Sequence, residues 1–248
     1  MTDTTFYDIT PFSYGYSCKE SIIQNMHPLL KKLIRQNKNK CMVDIGCGCG
    51  RNLLYASSFA SQLIGVDVSI QSLNFAKDFV KNKNLELIVG NNLAIPLLDN
   101  TVDLVISDGV CHHTGDTFRA FCECIRILKP GGTLYLAVYK KYRYYPLLYY
   151  VVGGFLRLIN KIKLGNFIIE NLFVKIHYLM YKLFKAQKFS INESRNIFFD
   201  YFLTPIATFQ SKKDVSSWSR NNNATIVDYD RTKGNCHVFI IQKNESRT

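Results

Sequence analysis

Short apolar runs alternate with helical stretches between residues 41 and 139. The runs carry few charges and cover Cys41–Ile45, Leu63–Val68, Leu85–Val89, Val102–Ser107 and Thr133–Tyr139. Strands that are buried on both faces of a sheet have this pattern, without the strict alternation of a half-exposed strand. The stretches between them, residues 51–60, 70–81 and 117–128, are predicted helices. Strands and helices in this order predict a parallel sheet with helices on both faces.

Two flanking parts extend this pattern. Residues 1–40 form a polar and aromatic leader, with a helix predicted over residues 21–36 from apolar residues at helical spacing. Residues 196–248 contain a predicted helix over 212–221 and two apolar runs, 224–229 and 236–242. The Lys233-Gly234-Asn235 step between the runs favours a hairpin. We therefore predict an α/β fold with a doubly wound, mostly parallel seven-stranded sheet whose last strand is antiparallel.

Residues 140–195 interrupt the rhythm with an aromatic and basic segment. Its longest uncharged run, Tyr144–Leu156, has 13 residues, whereas a helix that spans a bilayer needs about 20. Further on, apolar residues recur at helical spacing: Phe167, Ile168, Leu172, Phe173, Ile176, Leu179, Met180, Leu183 and Phe184. The segment is predicted to be an amphipathic helical lid, inserted between a core at residues 41–139 and the C-terminal part of that core.

The charge of the chain is concentrated in the same segment. Of the 248 residues, 47% are hydrophobic and 20% are charged, which is typical of a folded globular protein. The net charge is +12, and residues 140–190 contribute ten Lys and Arg against a single acid, Glu170. An anionic partner would therefore bind the lid. The lid could contact an anionic membrane, bind RNA, or pack on the core with its lysines merely solvated.

The cysteines and the N-terminal sequence indicate a cytoplasmic protein. The eight cysteines include no C-x-x-C motif and no zinc spacing, which argues against a disulfide framework and a structural metal. Two C-x-C pairs, at 47/49 and 122/124, do not change this, because one lies in a glycine loop and the other on a predicted helix. The first eight residues lack the pattern of a signal peptide.

The glycine loop after the first predicted strand is the strongest local signal. It reads Asp44-x-Gly46-x-Gly48-x-Gly50 and leads into a helix. Glycines let the backbone approach a ligand closely, and a helix start offers free N–H groups, so the loop predicts a nucleotide-like cofactor. In the dinucleotide fingerprint G-x-G-x-x-G, the third glycine would fall on Arg51, which makes NAD the second choice. The alternative without a ligand is a tight strand-to-helix turn.

Asp67 ends the second predicted strand, 19 residues after Gly48. Folds of this kind hold ribose hydroxyls with an acid at about this distance. Asp67 could instead cap the helix that begins at Ile70, but Ser69 is the better N-cap. We therefore predict that Asp67 binds a ribose.

Five motifs in order resemble those of class I S-adenosylmethionine-dependent methyltransferases, and most closely the ubiquinone/menaquinone methyltransferase-like branch. They are Asp44-x-Gly46-x-Gly48-x-Gly50, Gly65-x-Asp67-x-Ser69, Val89-Gly90-Asn91-x5-Leu97, Val102-Asp103-Leu104-Val105 and Leu128-Lys129-Pro130-Gly131-Gly132. The resemblance covers residues 41–139 densely, the C-terminal part weakly and residues 140–195 not at all. It implies a Rossmann-like fold, S-adenosyl-L-methionine as cofactor and methyl transfer as activity.

The resemblance also implies roles for individual residues. Asp44, Gly46, Cys47, Gly48 and Gly50 would hold the methionine part of the cofactor, and Asp67 with Val68 the ribose. Asn91 stands where the family usually has an Asp that binds the adenine amino group, and its amide oxygen can still accept that bond. Asn92 and Leu93 would line the adenine slot, and Ser107 and Asp108 would face the methionine amine and sulfonium.

His112 and His113 follow the fourth predicted strand and are the candidate catalytic residues. A histidine beside the transferred methyl group could take a proton from the acceptor, because its pKa lies near neutral pH. The two rings could instead pack and help to cap the next helix with Thr114 or Asp116. An acceptor that is already activated would need only positioning.

The methyl acceptor is predicted to be a small, apolar or amphiphilic molecule. His112, Tyr144, Asp200 and Tyr201 are the candidate residues that bind it, because they bring polar groups to apolar, aromatic stretches. The His-His pair is also similar to tRNA wobble-uridine carboxyl methyltransferases, so an RNA-modifying enzyme is the alternative. A third hypothesis is a non-catalytic protein that binds a membrane surface. The clustered charge predicts peripheral contact with the inner face of an anionic membrane.

Overall fold

A computed structural model describes residues 4–9, 19–184 and 190–245. The seven strands are β1 Cys41–Ile45, β2 Gln62–Asp67, β3 Leu85–Val89, β4 Val102–Asp108, β5 Leu128–Tyr139, β6 Ala224–Asp230 and β7 Cys236–Lys243. The helices are α1 Thr4–Ile9, α2 Lys19–Asn25, α3 Pro28–Gln36, α4 Arg51–Ala56, α5 Ile70–Val80, α6 Thr117–Ile127, α7 Tyr144–Leu148, α8 Gly154–Ile159, α9 Lys163–Ile168, α10 Val174–Phe184, α11 Ile191–Phe198 and α12 Lys212–Asn221.

The strands form one sheet in the order β3-β2-β1-β4-β5-β7-β6. β1 to β5 are parallel, and β7 is antiparallel to both of its neighbours. The predicted α/β class, the seven strands, the antiparallel last strand and the hairpin are confirmed. The strand order reverses between β1 and β4, and open α/β sheets bind ligands at such a point, beyond the carboxyl ends of the strands.

Each face of the sheet has its own hydrophobic core, because neighbouring residues of a strand point to opposite faces. Met42 of β1 enters a core with Leu30 of α3 and Leu53 of α4. The next residue, Val43, enters the other core with Phe121 of α6 and Val215 of α12. Burial on both faces explains why these strands read as apolar runs in the sequence.

The helix predicted over residues 21–36 is wrong as a single element, because the chain forms α2 and α3 with a break at Met26 and His27. Pro28 occupies the first turn of α3, where its missing N–H costs nothing. The His27 ring accepts a hydrogen bond from Leu29 N at 3.3 Å and contacts the Asp230 carboxylate at 3.1 Å. Residues 1–3 and 10–18 of the leader lie outside the described residues.

The lid consists of α7 to α11 and of three π-helical turns, Tyr149–Gly153, Ile169–Phe173 and Phe199–Leu203. Its helices continue to Leu203, beyond the predicted end at residue 195, because Phe198, Phe199 and Leu203 pack in one cluster with Leu156 and Ile169. The described residues contain no helix that is long and apolar enough to cross a membrane. Residues 185–189, with the predicted lid residues Lys185 and Lys188, lie outside the described residues.

Side chains of the lid donate hydrogen bonds to backbone carbonyls of the π-helical turns. The Arg157 guanidinium donates to Phe202 O at 2.9 Å and to Tyr149 O at 3.1 Å, and it stacks on the Tyr149 ring. The Tyr145 hydroxyl donates to Tyr201 O at 3.0 Å. A buried carbonyl without a partner would cost about 1–3 kcal/mol, so these bonds hold the turns in place.

The base of the lid is attached to the loop between β6 and β7. Lys140 is buried, and its Nζ donates to Thr232 O and to Gly234 O, both at 2.8 Å. Arg143 donates to Gly234 O at 2.7 Å. With Arg157, three of the ten basic residues of the segment therefore bind the chain's own backbone rather than a partner.

Candidate active site

The loop after β1 turns sharply at glycines with positive φ angles. Gly46 has a φ of 68°, and a Cβ atom there would collide with Val110. Gly48 has a φ of 50°, and nothing lies within 4 Å of the place that its Cβ would occupy. The first glycine is therefore needed for the fold, whereas the second leaves open space where a ligand can approach the backbone.

Asp67 holds the loop from the carboxyl end of β2. Its carboxylate accepts hydrogen bonds from Gly48 N at 2.8 Å and from Ser69 N at 2.9 Å. Burial raises the pKa of Asp67, and the backbone N–H groups of Ser69, Gly48 and Val68 counteract that rise. A carboxylate has about four acceptor positions, so two remain for the hydroxyls of a ribose. Ser69 caps α5 through Ser72 N, as predicted, and Val68 between them is partly buried.

Asp44 lies at the end of β1 and is almost completely buried. Asn52 donates to its Oδ1 at 3.4 Å, and its Oδ2 has no hydrogen-bond partner among the described residues. Burial raises the pKa of Asp44 to about 8. A buried acceptor without a partner is costly, and a bound ammonium group would satisfy it. Cys47, also buried, follows at the start of the loop.

The residues after β3 differ in what they offer a ligand. The predicted adenine ligand Asn91 is exposed, and its amide oxygen accepts a bond from Leu93 N at 2.9 Å. Asn92 is buried, and its oxygen has no partner among the residues that the structure describes. The buried amide of Asn92 is thus the better placed acceptor, with Leu93 partly buried next to it.

At the end of β4, Asp108 forms an ion pair with Arg51 of α4, with 2.6 Å between Nη2 and Oδ2. Arg51 is not among the predicted site residues, although its position at the start of the helix after the glycine loop could have indicated a site residue. Ser107 Oγ lies 3.0 Å from Cys111 Sγ. Gly109, at a φ of 84°, again faces open space.

His112 and His113 lie in a 3₁₀ turn directly after this strand. The His112 ring is fully buried, stacks on Tyr139 with 3.7 Å between ring centres, and has no partner for either nitrogen among the described residues. Burial lowers the pKa of His112 well below its usual value, and His113 lowers it further. The neutral ring can therefore donate one hydrogen bond and accept another.

His113 is fixed by the chain that returns from the lid. Its Nδ1 lies 2.8 Å from Ile206 O, a carbonyl that can only accept, so Nδ1 carries the hydrogen and Nε2 the lone pair. Nε2 lies 3.7 Å from Oδ1 of Asp200. Burial lowers the pKa of His113 and raises that of Asp200. Tyr139 donates to the other oxygen of Asp200 at 3.3 Å.

Aromatic side chains of the lid pack against Tyr139, the β5 residue that contacts both histidine rings. Tyr145 and Tyr201 have ring centres 5.3 Å apart, and Tyr145 lies 4.9 Å from Tyr139. The structure thus brings together His112, Asp200 and Tyr201. It does not bring Tyr144 into this group, because that side chain is 60% exposed and stacks on Arg143. Tyr145 takes its place, one residue away on the inward face of α7.

Helix α1 lies between the cofactor edge and the lid. The Ser69 hydroxyl donates to Tyr7 O at 3.4 Å, and Phe6 packs against the lid cluster around Leu156 and Ile169. Burial raises the pKa of Tyr7, with smaller contributions from Asp200 and Asp67. The predicted cofactor residues and the predicted acceptor residues therefore lie close to each other, next to α1.

No group of metal-binding side chains occurs among the residues that the structure describes. The polar groups of the site do match the parts of S-adenosylmethionine. Two carboxylates face the places predicted for the amino acid and the ribose, and open space lies at Gly48 and Gly109. The arrangement offers carboxylates that suit a cationic amino acid attached to a nucleoside, and it leaves both nitrogens of the buried His112 ring without a partner among the described residues.

Residues 43–136 match the family described as "Methyltransferase domain". Two curated relatives are each 33% identical. One is malonyl-[acyl-carrier protein] O-methyltransferase of Methylococcus capsulatus, over 38% of this chain and 35% of the relative. The other is a Mus musculus protein named "Probable tRNA methyltransferase 9B", over 45% of this chain and 25% of the relative. The chain thus spans about a third or less of the length of these relatives.

A solved structure agrees with the fold over most of the chain. The S-adenosylmethionine-dependent methyltransferase from Mesorhizobium loti has a TM-score of 0.59 at 13% identity, over 87% of this chain and 96% of that one. The Rossmann-like fold is thereby confirmed. The family match and the named relatives support the predicted class, class I S-adenosylmethionine-dependent methyltransferases, and they do not distinguish a branch within it.

Proposed function

We propose that the protein is an S-adenosylmethionine-dependent methyltransferase that acts on a small, apolar or amphiphilic acceptor. The observation that carries the proposal is Asp67, whose carboxylate is held by Gly48 N and Ser69 N with two acceptor positions left over. Within the class, the order of the five motifs favours the ubiquinone/menaquinone methyltransferase-like branch.

When bound, S-adenosylmethionine supplies a methyl group on a cationic sulfur. Asp67 binds the ribose hydroxyls, and Asp44, with its unbonded oxygen, binds the ammonium group. Asn92 provides a buried acceptor for the adenine amino group. Asp108, paired with Arg51, places a second carboxylate near the methionine part.

The histidines have different roles in this proposal. The buried, neutral ring of His112 orients the acceptor through its two free nitrogens. His113 takes the acceptor proton at Nε2, because its Nδ1 is committed to Ile206 O, and the Asp200 carboxylate stabilises the imidazolium that forms. Tyr139 keeps Asp200 in position. A phenol, a carboxylic acid or an amine bound beside His112 could lose its proton in this way.

Calorimetric titration with S-adenosylmethionine and with NAD tests the cofactor. We expect the first to bind and the second not to bind. Tight binding of NAD alone would contradict the proposal. Transfer of a radiolabelled methyl group to a panel of quinols, fatty acyl carriers, amines and tRNA tests the acceptor, with the organic extract and the precipitated RNA counted separately.

A tRNA acceptor is the second candidate. It is favoured by the similarity to the Mus musculus relative and by the cations of the lid. The exposed lysines of the lid lie among large exposed aliphatic side chains, whereas a backbone-binding groove is polar. Phosphate contacts would make tRNA affinity fall steeply with salt concentration. Failure to bind tRNA at low salt would remove this candidate.

The proposed place of action is the cytoplasm, with peripheral contact at the inner face of a membrane. The seven described cysteines are free thiols, which fits a reducing compartment. Cell fractionation tests the location. The protein should divide between the soluble and membrane fractions and leave the membranes on washing with high salt.

A further inference from the structure

Large apolar side chains on the outside of this protein are concentrated on the lid. The described residues include 23 exposed large apolar side chains, and 17 of them lie between Tyr142 and Ile191. On the helical segment over 144–159 they recur at Leu147, Val151, Phe155 and Leu158. Spacings of three and four residues place them on one side of a helix. We call the exposed apolar side chains of α7 to α10 the outer lid surface.

The same helices are apolar on their inner side. Tyr145, Tyr149, Leu156, Ile169 and Val174 are buried against the domain or within the lid. A helix that is apolar on all sides is normally covered on all sides. Within the described residues, only the inner side of the lid is covered. An exposed apolar area of this extent marks a surface that binds something.

The exposed charged side chains around the outer lid surface are all positive. Lys140, Arg143 and Arg157 are occupied by backbone carbonyls. The exposed charged residues over 141–183 are all lysines, namely Lys141, Lys161, Lys163, Lys175 and Lys182. The acid of this stretch, Glu170, is only partly exposed and binds Arg195 through both oxygens at 2.9 Å. The surface therefore combines large apolar groups with uncompensated positive charge.

The combination of apolar groups and positive charge distinguishes between two partners for the outer lid surface, a second copy of the chain and a lipid bilayer. A second copy docked by the same surface would bring its lysines against the lysines of the first, and such a symmetric contact is repulsive. An anionic lipid surface accepts both parts, because apolar side chains enter the acyl boundary while lysines extend to the headgroups. We propose that the outer lid surface inserts into the interface of an anionic lipid bilayer. This inference rests on the proposed location and is independent of the proposed methyl transfer.

The first experiment measures co-sedimentation of the full chain with vesicles of phosphatidylcholine alone and of phosphatidylcholine with phosphatidylserine. The double variant Phe155→Asn, Leu158→Asn should lower the association constant by about tenfold or more, because two large side chains no longer enter the lipid. The matched control is Leu98→Asn, Val227→Asn, which changes two exposed apolar residues outside the lid and should behave like the unchanged protein. Equal binding of the lid variant and the control would overturn the proposal.

A second variant separates charge from insertion. Lys161→Gln with Lys163→Gln should weaken binding to the phosphatidylserine vesicles by about five- to thirtyfold and leave binding to neutral vesicles unchanged. Calorimetric binding of S-adenosylmethionine to every variant shows whether the domain is still folded. If that binding fails for all proteins, including the unchanged one, the cofactor assignment fails, and the vesicle result still stands.

A third measurement reports insertion directly and needs no loss of binding. With Trp218→Phe as background, Phe155→Trp should shift its emission to shorter wavelength when phosphatidylserine vesicles are added, and Leu98→Trp should not. The opposite outcome is a chain that binds no vesicles and is dimeric in light scattering until the Phe155, Leu158 variant makes it monomeric. That result would assign the surface to a second copy and overturn the proposal.

Discussion

The sheet region and the lid bury apolar residues in opposite ways. In the sheet region, helices cover both faces, and the polar groups gather where β1, β2 and β4 end. In the lid, the helices are covered only on their inner side, and polar side chains donate hydrogen bonds to backbone carbonyls of the π-helical turns. In the first region both apolar faces are covered, and the polar groups lie at the edge of the sheet where we predict that the cofactor binds. The second has two apolar surfaces, of which the outer one is exposed among the described residues.

The largest expected difference between the regions is in stability. Phe121 is fully buried in the sheet region, and Phe155 of the lid is 57% exposed. Phe121→Ala should lower the free energy of unfolding by about 3–5 kcal/mol, and Phe155→Ala should change it by no more than about 0.5 kcal/mol. Urea denaturation measures both. A large loss for Phe155→Ala would mean that the outer lid surface is buried in the free protein and would break the comparison.

Cofactor binding should depend on polar residues at the carboxyl ends of the parallel strands and not on polar residues elsewhere in the sheet. Asp67→Ala should weaken the binding of S-adenosylmethionine by about 1.5–3 kcal/mol, the range for hydrogen bonds to a charged group. The control is Asp103→Ala, which removes bonds to Cys41 N and Lys129 at the opposite end of the sheet. Calorimetry should give an unchanged cofactor affinity for this variant. Equal losses in both would show that the ribose is placed wrongly.

The affinity for the cofactor should also rise with pH. The pKa of Asp44 is about 8, raised by burial and by Asp108 and Asp67, and lowered by Asn52 and Arg51. The free protein therefore holds a proton on Asp44 at pH 7, and a bound ammonium group expels it. Affinity should increase by up to about tenfold per pH unit from pH 6 towards 8 and then level off.

Titrations in buffers of different ionisation enthalpy measure this proton release. Asp44→Asn should abolish it, because the amide does not titrate in this range. Release that persists in Asp44→Asn would assign the proton to another group of the site.

The smallest expected effect concerns the lid alone. Arg157→Lys keeps the charge but loses the two-pronged contact with Phe202 O and Tyr149 O. It should lower the local stability of the lid by about 1 kcal/mol. Hydrogen exchange should become faster for amides of residues 149–184 and 190–203 and stay unchanged in β1 to β5. Faster exchange in both regions would show that the lid and the sheet open together.

The sheet could be predicted from the sequence because a strand that is buried on both faces consists of consecutive apolar residues. β1 and β3 begin and end where the sequence predicts, and β5 begins five residues earlier, at Leu128. The prediction of a single helix over 21–36 was wrong because the periodicity of apolar residues does not take Pro28 into account. A proline lacks the N–H that a helix interior needs, so the first helix ends before it and a new helix begins there. The order of the motifs also placed Asp44 and Asp67 at neighbouring strand ends.

The acceptor side of the site could not be predicted to the same depth. Helical spacing does not tell Tyr144 from Tyr145 when the helix is apolar on both sides, and only the packing against Tyr139 selects Tyr145. The pair of Arg51 and Asp108 joins residues 57 positions apart that share no motif. The π-helical turns depend on bonds such as that from Arg157 to Phe202 O, across 45 residues. The cofactor and acceptor roles of all these residues stay predictions.

The attachment of Lys140 has a consequence for the order in which the protein is made. Its ammonium group binds the carbonyls of Thr232 and Gly234, which are 92 and 94 residues further along the chain. A ribosome adds about 5–20 residues per second, so the lid emerges several seconds before the loop that anchors its base. During that interval the base of the lid lacks the bonds that Lys140 and Arg143 form in the finished chain. The exposed apolar side chains of the lid are therefore displayed before the chain is complete, and we expect chaperones or a membrane surface to compete for them.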